Sequence, residues 1–251
     1  QLYTGFDRPL SDEELARFKE LFKRRLAHEP VQYILGDTEF MGLPFDVSPR
    51  VLIPRPDTEV LIESVLQEVK RRFAPDAPLS ILDIGTGSGC VAVSLASKLP
   101  LSAVTATDIS PDALAEAEAN AVRNGVQERV RFVPSDVLTM PLPDGPHHVI
   151  VSNPPYISAA EYALLAEEVR RYEPAAALTD SGDGLTFYKA IAQRCDTALR
   201  PEGFIAVEHA YDQSDAVRAI FTAAGFTRTD AVKDFEGHWR CVVASREGAS
   251  R

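Results

Sequence analysis

Cysteine, histidine, methionine and tryptophan are all sparse in this 251-residue chain, with counts of three, five, two and one. Cys90, Cys195 and Cys241 are odd in number, widely spaced and embedded in apolar stretches, which disfavours a disulfide framework or a zinc site. They read as reduced core thiols of a cytosolic protein. The histidines show no metal-ligand spacing, and no Ser-His-Asp arrangement emerges. No apolar run has the length of a membrane span, and signal peptides, repeats and low-complexity tracts are absent from the sequence. Positive charge is short as well. Twenty-six Lys and Arg against 37 Asp and Glu leave a net charge of −11, so the bulk positive field that non-specific nucleic-acid binding requires is missing. Small basic clusters at Lys19, Lys23, Arg24 and Arg25, and at Arg170 and Arg171, read as solvated helix faces.

What is present is material for one large core. Hydrophobic residues make up 45% of the chain, and strand-like runs alternate with helix-like ones from Leu79 to Ala223, which calls for an α/β sheet covered on both faces. Helices are predicted at Asp57–Phe73, Ser88–Leu99, Pro111–Asn124, Leu185–Leu199 and Asp212–Ala223. Gly125, Gly203 and Gly225 lie just beyond the last three. Gly225–Val232 and Arg240–Ser245 then read as strands with a short connection, hence an antiparallel pair. Near the start, Ser11 caps a helix from Asp12 with Glu14 completing a capping box, and Thr38–Val47 reads as a hairpin turned at Gly42. Three parts follow: a helical segment 1–35, a hairpin linker 36–56 and an α/β domain 57–251. The chain opens with Gln, and the leader reads as truncated or incompletely covered.

Two loops draw the eye to one edge of that sheet. Leu79–Gly89 (LSILDIGTGSG) is an apolar strand running into Gly85-Thr86-Gly87-Ser88-Gly89, a turn whose glycines allow a ligand to approach the backbone. The G-x-G-x-x-G dinucleotide spacing is not met, which disfavours a pyrophosphate ligand. The next strand, Ala103–Thr107, ends in Asp108, placed to accept the two hydroxyls of a ribose. Ser110 and Pro111 are better suited than Asp108 to cap the following helix. After the third strand, Val130–Pro134, Asp136 can accept from an adenine amino group while Val137 packs on the base. Asp136 equally suits a turn.

The strand His147–Ser152 delivers Asn153-Pro154-Pro155-Tyr156. Two prolines end the ladder and stiffen the chain, so the Asn153 side-chain oxygen and the Pro154 carbonyl point in fixed directions. Both accept hydrogen bonds from an NH2 group, and Tyr156 offers a flat face for stacking. The chemistry favoured is the immobilisation of a planar amide or amino group.

In this order, DIGTGSG, the strand ending in Asp108, the Ser135-Asp136 pair and NPPY resemble the motifs of class I S-adenosylmethionine-dependent methyltransferases. PVQYILG at Pro30–Gly36, LIPRPDTE at Leu52–Glu59 and NPPY narrow the likeness to the PrmC/HemK family of protein-(glutamine-N5) methyltransferases, over about residues 30 to 245. The resemblance implies a seven-stranded, mostly parallel sheet with an antiparallel edge hairpin. It implies an enzyme using S-adenosylmethionine to methylate the Gly-Gly-Gln glutamine of class 1 peptide-chain release factors. Gly85, Thr86, Gly87, Ser88, Gly89, Asp108, Ile109, Asp136, Val137 and Asn153 would bind the cofactor. Asn153, Pro154 and Tyr156 would carry the reaction, with Arg55 and Pro155 beside the substrate. No metal is expected, and the protein is expected to be a cytoplasmic monomer with no membrane or stable nucleic-acid partner. Asp57 reads as a cap, Glu59 as structural, and Asp180–Gly184 as a mobile loop near the substrate. The alternatives are an exocyclic-amino methyltransferase on DNA or RNA, which shares NPPY, and a non-catalytic nucleotide-binding module.

Overall fold

The computed structural model describes residues 9–143 and 145–246. Helix α1 (Asp12–Leu26) begins with the expected capping box: the Ser11 hydroxyl accepts from the Glu14 N–H, and the Glu14 carboxylate accepts from the Ser11 N–H. A short helix α2 (Val31–Leu35) stops at Gly36 and leads into strands β1 (Asp37–Phe40) and β2 (Leu43–Asp46), an antiparallel hairpin turned at Met41-Gly42.

From there the chain alternates: α3 (Asp57–Arg72), β3 (Ser80–Ile84), α4 (Cys90–Lys98), β4 (Ala103–Asp108), α5 (Pro111–Arg123), β5 (Val130–Pro134) and β6 (His147–Ser152). After two short helices, α6 (Ala159–Tyr162) and α7 (Glu167–Tyr172), come α8 (Thr186–Ala198), β7 (Leu199–Glu208), α9 (Ser214–Ala223), β8 (Arg228–Lys233) and β9 (Trp239–Ser245). α4 starts at Cys90 and not Ser88, because Gly87 and Gly89 hold positive φ angles of 54° and 81° that no right-handed helix accepts. α6 and α7 were not foreseen, being too short to register a helical period.

Strands β3 to β9 form one sheet in the order β5-β4-β3-β6-β7-β9-β8. The first five run parallel, while β9 is antiparallel to both β7 and β8. This is the seven-stranded, mostly parallel sheet with a reversed edge. Alternation along the strands feeds two cores. Ile81, Val149 and Val151 pack with Leu61, Val65 and Leu95 of α3 and α4 on one face. Leu82, Ile150 and Ile205 pack with Ile191, Val217 and Phe221 of α8 and α9 on the other. Each such side chain stabilises the fold by about 1.5–3 kcal/mol when fully buried. The strand order reverses between β3 and β6, so the loops after their carboxyl ends diverge and leave a crevice there.

Candidate functional site

That crevice is a cavity of about 490 Å³. The loop after β3 forms its floor and is tied down closely. The Gly85 and Thr86 N–H groups both donate to the Thr107 carbonyl at 2.8 Å, and the Thr86 hydroxyl donates to Asp83 at 2.7 Å. Gly85 and Gly87 adopt positive φ, and a Cβ on either would meet nothing within 4 Å. Backbone there faces open space that a ligand can enter, as the glycine pattern predicts. Asp83 itself is buried, and desolvation pushes its carboxyl up to about 7 despite the Thr86 hydroxyl.

Asp108 closes one wall. One carboxylate oxygen accepts from the Gly87 N–H and the other from the Ser110 N–H, each at 2.9 Å. Ser110, not Asp108, caps α5 by accepting from the Ala113 N–H. Ile109, 63% exposed, and the buried Val137 both line the cavity. Asp136 lines the cavity with both oxygens already engaged by the Leu138 N–H and the Thr139 hydroxyl at 2.8 Å. The turn-forming alternative for this residue is therefore realised, leaving only its remaining lone pairs for a ligand. Gly85, Thr86, Gly87, Ser88, Asp108, Ile109, Asp136, Val137, Asn153, Pro154, Pro155 and Arg55 all line this one cavity. Gly89 does not. Its glycine serves packing of α4 on α5, since a Cβ there would stand 3.0 Å from the Ala117 Cβ.

A second cavity of about 200 Å³ adjoins the first, and Asn153 and Arg55 line both. Tyr156 lines this smaller cavity and not the larger one. Its hydroxyl donates to Glu208 at 3.3 Å, and burial together with that carboxylate holds the phenol well above its usual range. The Asn153 NH2 donates to the Thr58 hydroxyl at 3.0 Å, which leaves its side-chain oxygen as the free polar end. Arg55 pairs with Glu173, which is 5% exposed and also accepts from the Ile53 N–H at 3.3 Å. Asp180 and Ser181 reach the larger cavity.

Two expectations are corrected. Asp57 is no cap: Pro56 precedes α3 without a side-chain cap bond, and Asp57 instead reaches Arg240 at 3.3 Å. The Asp180–Gly184 segment is tied rather than loose, because the Asp180 carboxylate accepts from the N–H groups of Gly182, Gly184 and Thr186. The basic clusters lie on solvated helix faces as expected, and Lys23, Arg24, Arg25 and Arg171 also form ion pairs to Glu20, Glu29, Glu168 and Glu167 there. Sequence reasoning missed Thr58, Glu173 and Glu208. The last is a lone acid closing the apolar stretch FIAVE, a signal of the same kind as Asp108.

Among the described residues no group of three or more His, Cys, Asp or Glu is arranged to hold a metal ion, and no helix is long and apolar enough to cross a membrane. The groups in the larger cavity suit an adenosyl ligand: open glycine backbone, a carboxylate at a strand tip and an apolar clamp at Ile109 and Val137. Residues 81–174 match a family described as Methyltransferase domain, and residues 1–36 match one described as PrmC N-terminal domain. A release factor glutamine methyltransferase of Geobacter sulfurreducens is 46% identical, aligned over 98% of this chain and 84% of that protein. The one from Chlorobaculum tepidum is 44% identical over 94% of this chain and 81% of its own length. Among solved structures, the hMettl16 catalytic domain superposes with a TM-score of 0.67, covering 98% of this chain and 96% of that one at 18% identity, a likeness of fold alone.

Proposed function

The chain belongs to the release factor glutamine methyltransferase family, and on that premise we propose that it methylates N5 of the Gly-Gly-Gln glutamine in class 1 peptide-chain release factors. S-adenosylmethionine supplies an electrophilic methyl group carried on a sulfonium. Gly85, Gly87 and Asp108 would hold its amino-acid and ribose portions, with Ile109 and Val137 against the adenine. Residues 57–251 would be the catalytic unit, 36–56 the link, and 1–35 part of a surface that recognises the substrate protein.

A carboxamide nitrogen is a weak nucleophile, since its lone pair is delocalised into the carbonyl, and its proton is too weakly acidic for a side chain to remove beforehand. Positioning is what the protein contributes. The Asn153 side-chain oxygen and the Pro154 carbonyl would each accept one N–H of the glutamine, fixing the nitrogen at about 3–3.5 Å from the reacting carbon. The same two acceptors stabilise positive charge as it develops on that nitrogen. Pro155 stiffens the pair, Tyr156 stacks on the amide plane, and Arg55 guides the substrate into the smaller cavity. The proton leaves after transfer, so no dedicated base is required.

One observation carries this reading: the Asn153 NH2 donates to Thr58 at 3.0 Å, which fixes the sense of the carboxamide and keeps its oxygen as an acceptor at a residue that lines both cavities. The net charge of −11 favours a protein substrate over a nucleic acid, and the protein would act as a cytoplasmic monomer without stable nucleic-acid binding. The test is transfer of labelled methyl to purified release factor, run beside duplex DNA and ribosomal RNA. Label on the release factor alone supports the proposal. Label on nucleic acid alone overturns it.

A further inference from the structure

We propose that Thr58 is a positioning residue that acts through Asn153. The inference rests on the glutamine-methylating reading above. A carboxamide has an oxygen and an NH2 of nearly equal size, so packing alone does not choose which end faces the substrate. The choice decides the reaction. An NH2 turned toward the glutamine NH2 would set donor against donor, and the two acceptors would become one.

Thr58 makes the choice. It sits at the second position of α3, 1% exposed, and its oxygen accepts from the Asn153 NH2 at 3.0 Å. Thr58 thereby fixes which end of the Asn153 carboxamide carries the engaged donor and which is left as acceptor.

Thr58→Val keeps the side-chain shape and deletes the hydroxyl, while Thr58→Ser keeps the hydroxyl and deletes a methyl. The expected result for the valine variant is a kcat on release factor lower by about tenfold or more, the worth of one directed hydrogen bond, with S-adenosylmethionine affinity by calorimetry and KM each within about twofold. Serine restores kcat to within about threefold of the wild type. An unchanged kcat in the valine variant overturns the proposal, as does a serine variant that falls as far as valine, since packing would then explain both. Wild-type protein that methylates no release factor overturns the functional reading itself, and this inference with it. A measurement independent of activity and of variant folding is amide proton exchange at the Asn153 side-chain NH2 in the wild-type protein by NMR. Slow exchange is expected, and exchange as fast as that of an exposed asparagine contradicts the assignment.

Discussion

Gly89, at the start of α4, faces Ala117 of α5 so closely that an added Cβ would lie 3.0 Å from the Ala117 Cβ. Two residues earlier, a Cβ on Gly87 would meet nothing within 4 Å. One five-residue loop therefore contains glycines with different duties. Gly89→Ala is expected to destabilise the protein by about 2–4 kcal/mol, combining left-handed strain with overpacking. Gly87→Ala should cost about 1–2 kcal/mol in strain and weaken S-adenosylmethionine binding. Urea unfolding and calorimetry on both variants check the contrast. Equal stability losses would contradict the division of roles.

Arg55 and Glu173 make an ion pair that is one-sidedly buried, with side-chain exposures of 36% and 1%. Arg55→Ala leaves the Glu173 carboxylate relying on the Ile53 N–H at 3.3 Å. Because the arginine end meets solvent, the expected loss of stability is about 1–2 kcal/mol, below that of a fully buried pair. Arg55→Ala should also raise KM for the release factor more than it lowers affinity for S-adenosylmethionine, as steady-state kinetics and calorimetry will report. Weakened cofactor binding alone would move Arg55 to the larger cavity's chemistry.

Burial pushes the Glu208 carboxyl up to about 7, against the pull of Thr58, Tyr156 and Arg240 and with Asp57 adding to the rise. The sign follows from proton counting. Between the ordinary carboxylate range and about 7, the unfolded chain has lost a proton that the folded protein keeps, so stability falls as pH rises through that window. Asp83, also raised to about 7 by burial, contributes in the same direction. Glu208→Gln should flatten the decline between pH 5 and pH 7, by a difference on the order of a few kcal/mol. Unfolding free energies at several pH values decide it, and an unchanged slope would show that Glu208 ionises normally.

Asp180 holds three backbone N–H groups of its loop, at 2.8, 3.0 and 3.1 Å. Asp180→Ala is expected to cost about 1–3 kcal/mol, as donors lose a charged acceptor. Faster amide exchange at Gly182, Gly184 and Thr186 should accompany it. Protected amides in that variant would mean that other contacts hold the loop.

Much of the sheet was legible because its central strands are buried on both faces and its strands are bounded by Gly, Pro and Asp. His147–Ser152 and Val130–Pro134 carry the predicted limits. The Gly85-to-Gly89 turn and Asn153-Pro154-Pro155-Tyr156 were legible for a related reason, since unusual backbone demands unusual residues. The roles of Thr58 and Glu208 were hidden because their meaning lies in contacts with the loop after β6, Thr58 with Asn153 and Glu208 with Tyr156, between segments far apart in the chain. Gly89 was assigned to the ligand because sequence reports freedom of φ but not what stands opposite. Asp57 was taken for a cap on its place at the helix start, whereas Arg240, 183 positions along, decides its partner.

The central claim is that the methyl group arrives on a glutamine side-chain nitrogen held by Asn153. Tandem mass spectrometry of release factor incubated with the protein and S-adenosylmethionine tests it most directly, alongside Asn153→Ala. A single methyl on the Gly-Gly-Gln glutamine nitrogen with wild type, and none with a variant that still binds S-adenosylmethionine, is the predicted result. A methyl on any other residue, or undiminished glutamine methylation by Asn153→Ala, would contradict it.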